Sequence, residues 1–239
     1  MSEYLLSTSG LTKQFGHHKA VNNVDLHVKK GAIYGFIGRN GAGKTTFLKM
    51  ISGLSKPTDG EIQMFGYRNE ELKNVRSRIS CLIEAPGIYG NMSAYHNLAI
   101  KCRLFGINDS KYIENILKIV GLSEVGKKKT KHFSLGMKQR LGIGLALVGE
   151  PDLLVLDEPI NGLDPQGIAE IRDMLLRLKE EQNMTIIISS HILEELSKIA
   201  THYGIIHNGS LIQELTREEL MTRCSERMEL TLDLSLIHI

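Results

Sequence analysis

Apolar residues near the start of the chain fall at alternating positions. Leu5, Leu11, Val21, Val24, Leu26 and Val28 predict antiparallel strands up to about residue 30, with a turn near Gly16-His17-His18. Ile33-Tyr34-Gly35-Phe36-Ile37 reads as a buried strand, and Thr46-Phe47-Leu48-Lys49-Met50-Ile51 as the start of a helix. Pro57-Thr58-Asp59-Gly60 reads as a turn, residues 61–65 as a short strand, and residues 79–83 as a strand ending at Glu84-Ala85-Pro86-Gly87. From about residue 93 to 149 the period becomes helical. Tyr112, Ile113, Ile116, Leu117 and Val120 share a face there, and Gly121 suits a C-cap. Residues 153–156 and 185–188 are continuous apolar strands, residues 168–178 are helical, and Asn208-Gly209 predicts a hairpin turn within 205–212. Strands alternating with helices predict an α/β fold with a parallel sheet covered on both faces, the helical block being an insertion.

Composition changes this picture little. At 239 residues, 42% hydrophobic and 23% charged, the chain fits one large or two small globular domains with a core that needs no disulfides. A net charge of +2 gives no reason to expect nucleic-acid binding. Cys81, Cys102 and Cys224 are scattered and read as free thiols of a reducing cytosol. No apolar run approaches the roughly 20 residues of a membrane span. Asn208-Gly209-Ser210 matches a glycosylation acceptor but reads as a turn. The last six residues, Leu234-Ser235-Leu236-Ile237-His238-Ile239, match a translated transposon-end adaptor, so the natural frame is expected to continue past Asp233. The other reading is an apolar terminal strand continuing the alternation from Met228.

Gly38-Arg39-Asn40-Gly41-Ala42-Gly43-Lys44-Thr45 has the form G-x-x-x-x-G-K-T between a strand and a helix. Such a turn points backbone N–H groups and a positive helix end at a polyphosphate. Lys44 is expected to reach the β- and γ-phosphates, Thr45 to place its hydroxyl on Mg²⁺, and Thr46 to bond the α-phosphate. Leu153-Leu154-Val155-Leu156-Asp157-Glu158 delivers two carboxylates to the C-terminal edge of the sheet, where ligands of open α/β sheets bind. Asp157 is expected to hold Mg²⁺, and Glu158 to orient and polarise the attacking water. A helix N-terminal acidic pair is the alternative, weakened by Pro159 and Gly162.

Phe133-Ser134-Leu135-Gly136-Met137-Lys138-Gln139-Arg140 precedes an apolar helix, and here the chain resembles the ATP-binding subunits of ABC transporters. The family's signature is L-S-G-G-Q. Ser134 and Gly136 match it; Leu135 and Met137 depart. A Ser at a helix start plus free N–H groups makes an anion site, and the resemblance implies that this site faces the γ-phosphate on a second subunit, so that two chains sandwich two ATPs. It implies that Phe15 stacks on adenine, that Asp164 in Asn161-Gly162-Leu163-Asp164-Pro165 belongs to a loop crossing the dimer interface, and that His191 in Ser189-Ser190-His191 contacts the γ-phosphate. Read alone, Ser134 is an ordinary N-cap, Phe15 a core residue, Asp164 part of a turn and His191 structural. The matches run from about residue 5 to 215. They imply a P-loop NTPase with a RecA-like parallel sheet, an N-terminal antiparallel β-subdomain and a helical subdomain inserted at about 90–150, all one ABC ATPase domain over 1–233.

Glu84 stands where most of the family has Gln, a residue that touches Mg²⁺ and contacts the membrane partner. A carboxylate still offers an oxygen to Mg²⁺ but loses the amide donor. This Glu, with the Ser-Leu-Gly-Met-Lys-Gln-Arg signature, resembles the lantibiotic and bacitracin immunity and export branch. The resemblance implies a cytosolic, peripheral subunit that pairs with itself and docks on separate permease subunits through residues 84–92, at the inner face of a bacterial plasma membrane. Lys127-Lys128-Lys129 and Lys131 form a basic run that reads as a solvated loop or as a site for anionic head groups. A soluble ABC ATPase without a transporter, an exporter of another substrate, and a P-loop kinase are the rival readings.

Overall fold

A computed structural model describes residues 4–223. Cys224 and the terminal residues 234–239 lie outside the described residues. Two long antiparallel strands come first, β1 (Tyr4–Phe15) and β2 (His18–Lys29), joined by the tight turn expected at Gly16. Their alternating leucines and valines are buried, as half-buried strands require. β3 (Ile33–Ile37) comes next and leads through the P-loop into α1 (Lys44–Ile51), which begins two residues before the expected start. Then come β4 (Asp59–Met64), β5 (Tyr67–Arg68), a 3₁₀ stretch over Asn69–Arg78, and β6 (Ile79–Leu82).

Three helices separate β6 from the next strand: α2 (Ala94–Leu104), α3 (Ser110–Ile119) and α4 (Leu135–Leu147). Ser93 and Asp109 cap α2 and α3 through their side-chain oxygens. The chain then runs through β7 (Leu153–Asp157), α5 (Pro165–Gln182), β8 (Thr185–Ser190), the short α6 (Leu193–Ser197) and the hairpin β9 (His202–His207) and β10 (Ser210–Thr216). Asn208 and Gly209 both have positive φ in that hairpin turn, at 46° and 80°, which is the conformation a two-residue Asn-Gly loop favours.

Two sheets result. One is antiparallel with strand order β2-β1-β4-β5; the other has order β10-β9-β3-β8-β7-β6 and is parallel except for β10. Every residue of β7 and β8 is buried, which is why their sequences are continuous apolar runs rather than alternating ones. Because β3, β8 and β7 are neighbours, the segments leaving their C-terminal ends meet at one edge of the sheet.

The local pattern predicts a turn through Asp59 and Gly60, but both belong to β4. Gly60 sits at a bulge, where the register between β1 and β4 shifts between Ser9 and Thr12. Its φ is 86°, and a Cβ there would lie 2.4 Å from the carbonyl oxygen of Gly10. The glycine thus permits a close approach of two strands rather than a reversal of the chain.

Candidate functional site

The P-loop is built by packing as much as by its own turn. Gly38 N–H donates to the carbonyl of Ser190 at the end of β8 (3.2 Å), and Gly209 N–H in the β9–β10 turn donates to the carbonyl of Ala42 (2.9 Å). Gly43 has φ of 108°, and a Cβ there would meet the carbonyl oxygen of Ala20 at 2.4 Å, so both conformation and space demand glycine. α1 begins immediately after it, so its unpaired N–H groups face the loop's concavity.

Five expected residues meet at this edge. Lys44 is almost fully buried. Its ammonium donates to the carbonyls of Gly38 (2.6 Å) and Arg39 (3.2 Å) and lies 3.1 Å from Glu158 Oε1. That carboxylate oxygen accepts no directional hydrogen bond, so its contact with Lys44 is an ion pair alone. The other oxygen of Glu158 lies 2.9 Å from His191 Nδ1. A carboxylate can only accept, so Nδ1 carries the proton. Thr45 Oγ1 donates to Asp157 Oδ2 at 2.6 Å.

In the sequence Ser189 stands out only as a neighbour of His191, yet it joins the two carboxylate residues. Its buried hydroxyl donates to Asp157 Oδ1 (2.5 Å) and accepts from the backbone N–H of Glu158 (2.9 Å). Glu158 itself has φ of 48°, a left-handed conformation that costs a β-carbon-bearing residue about 1–2 kcal/mol. Strain of this kind persists where surrounding bonds hold it, as Ser189, Lys44 and His191 do here.

Glu84, implied on the Mg²⁺ side, meets α1 in this structure. It leaves β6 with φ of 66°, and its carboxylate pairs with Lys49 of α1 at 2.6 Å, making no hydrogen bond to Thr45 or Asp157. Phe15, at the end of β1, is 55% exposed, which removes the core reading; Lys13 Nζ lies 5.2 Å from its ring centre.

Ser134 and Asp164 stand apart from the P-loop. Ser134 caps α4 through Met137 N–H (3.2 Å), and Asp164 caps α5 through Gly167 N–H (3.0 Å), with proline at the first helical position of α5. Both caps and Gly136 line one open cleft of about 440 Å³. Leu135, which departs from the signature, is 53% exposed beside it.

The arrangement offers backbone N–H groups and one ammonium to a polyphosphate, and a carboxylate aimed at the same place. The Thr45 hydroxyl and Asp157 carboxylate are hard oxygens of the kind Mg²⁺ takes together with water and phosphate oxygens. Among the described residues no group of three or more His, Cys, Asp or Glu stands close enough to cage a metal by itself.

Comparison with known proteins agrees with this chemistry. The family described as "ABC transporter" matches residues 21–161. The chain is 47% identical over 231 residues to the bacitracin transport ATP-binding protein BcrA of Bacillus licheniformis, covering 95% of this chain and 75% of that protein. It is 43% identical over 210 residues to the lantibiotic transport ATP-binding protein SrtF of Streptococcus pyogenes, covering 88% and 90%. Its fold superposes with a TM-score of 0.84 on cbiO1 of Clostridium perfringens, part of the ABC transporter complex cbiONQ, at 26% identity over 99% of this chain and 98% of that one.

Proposed function

The chain belongs to the ABC transporter family as an ATP-binding, ATP-hydrolysing subunit, and from that premise we propose that it powers export of a bacitracin- or lantibiotic-type peptide through separate membrane-spanning partners. Likeness to two peptide-antibiotic transport subunits over about nine-tenths of the chain supports the substrate class. No helix among the described residues is long and apolar enough to cross a membrane. The permease then supplies the passage, and the subunit works from the inner face of the plasma membrane as a pair.

The observation that carries the hydrolytic reading is Glu158 held between Lys44 and His191. Lys44 and the P-loop N–H groups bind the β- and γ-phosphates, and Thr46 the α-phosphate. Phe15 stacks on the adenine. Thr45 and Asp157 would hold Mg²⁺, which when bound would neutralise charge on the phosphates. The incoming γ-phosphate takes over the ammonium of Lys44, leaving Glu158 to orient water and accept its proton while His191 fixes the carboxylate. Ser134 and Gly136 receive the γ-phosphate bound to the second copy, and Asp164 keeps the loop between them in place. ATP closes the pair, hydrolysis reopens it, and residues 84–92 pass the movement to the permease.

Two measurements test this. Glu158→Gln should lose hydrolysis and become a stable dimer with ATP in size-exclusion chromatography. Co-expressed with its permease, the native chain should protect a sensitive host from bacitracin or a lantibiotic, and the variant should not. A variant that stays monomeric with ATP, beside a native chain that gives no protection, overturns the proposal.

A further inference from the structure

Two helices start at the open cleft that holds the Ser134 and Asp164 caps. α4 belongs to the inserted helical block and α5 to the core that carries the parallel sheet. Arg140 lies six residues past Ser134 in α4, and Glu170 six residues past Asp164 in α5. At 1.5 Å per residue each stands about 9 Å along its helix from the cap, and there the two meet. Arg140 Nη2 is 3.2 Å from Glu170 Oε2, and both side chains line the same cleft as the caps.

Further bonds hold each partner. Arg140 Nη1 donates to the carbonyls of Val120 (3.2 Å) and Gly121 (2.9 Å) at the C-terminal end of α3, where a cation suits the unpaired carbonyls. Gly121 leaves the space for it: a Cβ there would lie 2.8 Å from Nη1. Arg140 Nε has no hydrogen-bond partner among the described residues, so the two Nη groups carry the connection. On the other side Gln166 Nε2 donates to Glu170 Oε1 (3.1 Å), which leaves Oε2 to the arginine. A rigid planar fork suits this division between two carbonyls and a carboxylate.

At the cap end the contact is apolar. A Cβ on Gly162 would lie 3.3 Å from Leu135 Cδ2, and one on Gly136 3.8 Å from Leu163 Cδ2, so residues 162 and 163 rest on the first turn of α4. Two rods that touch at one place can pivot there. A second contact, an ion pair more than one turn further on, fixes their angle.

We propose that Arg140 and Glu170 are positioning residues: their ion pair sets the separation and angle of the two caps, and with it the fit of Ser134 and Gly136 to the γ-phosphate of a second copy's ATP. This rests on the reading of the chain as a subunit that closes as a pair on ATP. The bonds of Arg140 and Glu170 run to α3, α4 and α5 and not to Lys44, Thr45, Asp157 or Glu158. Nucleotide held by the P-loop of a single chain is therefore indifferent to the pair.

The test starts from Glu158→Gln with ATP, whose dimer is read by size-exclusion chromatography over a series of ATP concentrations. Fluorescent mant-ADP reports the P-loop of the single chain. Adding Glu170→Ala should raise the ATP concentration at half-dimerisation roughly tenfold, since a misplacement of about 1 Å costs up to about 10²-fold, with mant-ADP affinity unchanged. Glu170→Gln keeps an acceptor for Nη2 and should lose less. Arg140→Lys keeps the charge, loses the fork and should shift dimerisation as Glu170→Ala does. Asp173→Ala removes a carboxylate from the same helix, one that pairs with its neighbour Arg172, and should behave as the parent. An unchanged half-dimerisation point in Glu170→Ala, an equal shift in Asp173→Ala, or a parallel loss of mant-ADP affinity overturns the proposal. Those failures leave the Glu158→Gln dimer intact, whereas its absence overturns both the pairing and the proposal that rests on it.

Discussion

Changing Ser189 to Ala removes one oxygen from the centre of the site and should weaken both the fold and the chemistry. That oxygen donates to Asp157 Oδ1 at 2.5 Å and accepts from Glu158 N–H at 2.9 Å, and the residue is fully buried. A hydrogen bond to a charged group contributes about 1.5–3 kcal/mol, and an orphaned buried donor costs about 1–3 kcal/mol. With partial relaxation the sum is about 3 kcal/mol, within the 5–15 kcal/mol stability of ordinary domains, so the variant folds. Glu158 also loses the bond that helps hold its left-handed backbone, so its carboxylate drifts from Lys44 and His191. A misplacement worth about 1.4 kcal/mol in the transition state lowers kcat about tenfold. Urea unfolding measures the first effect and steady-state ATP hydrolysis the second. Ser190→Ala is the matched control, because its hydroxyl only accepts from Ile192 N–H (3.0 Å) and touches neither carboxylate. A Ser189→Ala protein within 0.5 kcal/mol of the parent, with kcat within about twofold, would refute the reasoning.

Other contacts carry three further outcomes. Lys49→Met leaves Glu84 unpaired beside α1; the pair is exposed, so stability should change by less than about 1 kcal/mol. Without the Lys49 charge the Glu84 carboxylate repels the phosphates, so the KM for Mg-ATP should rise roughly three- to fivefold and return in Lys49→Met/Glu84→Gln; an unchanged KM in the single variant contradicts this. Phe15→Ala should raise the KM for ATP about tenfold and Phe15→Trp should restore it, with the unfolding midpoint unmoved because the ring is exposed; equal KM values would sink the stacking role. Burial first, then the charge and hydrogen bond of Glu214, raises the phenol of Tyr34 well above 10. The folded state therefore holds that proton longer than the unfolded chain, so its contribution is complete below about pH 10 and lost as pH climbs beyond. Tyr34→Phe should flatten the alkaline loss of stability seen in urea titrations between pH 8 and 11; an identical slope in both proteins counts against it.

The central residues are legible because each buried strand hands its last residues to the ligand edge of the sheet. The apolar runs of β7 and β8 end at Asp157-Glu158 and at His191, and the glycine turn after β3 ends at Lys44. Ser189 is not legible as a bridge, because a serine at a strand end carries no pattern; only the neighbouring register of β7 and β8 brings it beside Asp157. Nor is the partner of Glu84, since Lys49 is 35 residues away and sits in what reads as an ordinary basic last turn of a helix. The 3₁₀ stretch over Asn69–Arg78 leaves no periodic trace because it is strongly polar and buries only Leu72 and Val75. Gly60 reads as a turn residue because a bulge and a turn ask for the same amino acid.

Helix α4 also carries a mechanical constraint. Ser134 caps one end, and eight residues on, about 12 Å along the axis, Gly142 has no room for even a methyl group: a Cβ there would lie 2.7 Å from Pro86 Cβ and 3.2 Å from both terminal carbons of Leu82. The helix and the segment leaving β6 thus touch backbone against ring, with no side chain between them to absorb play. Any push on Pro86 larger than a few tenths of an ångström has to move the rod or buckle the segment. A rigid rod shifts its cap by as much as its shaft, so displacement at residue 86 arrives at residue 134 with little lost to slack.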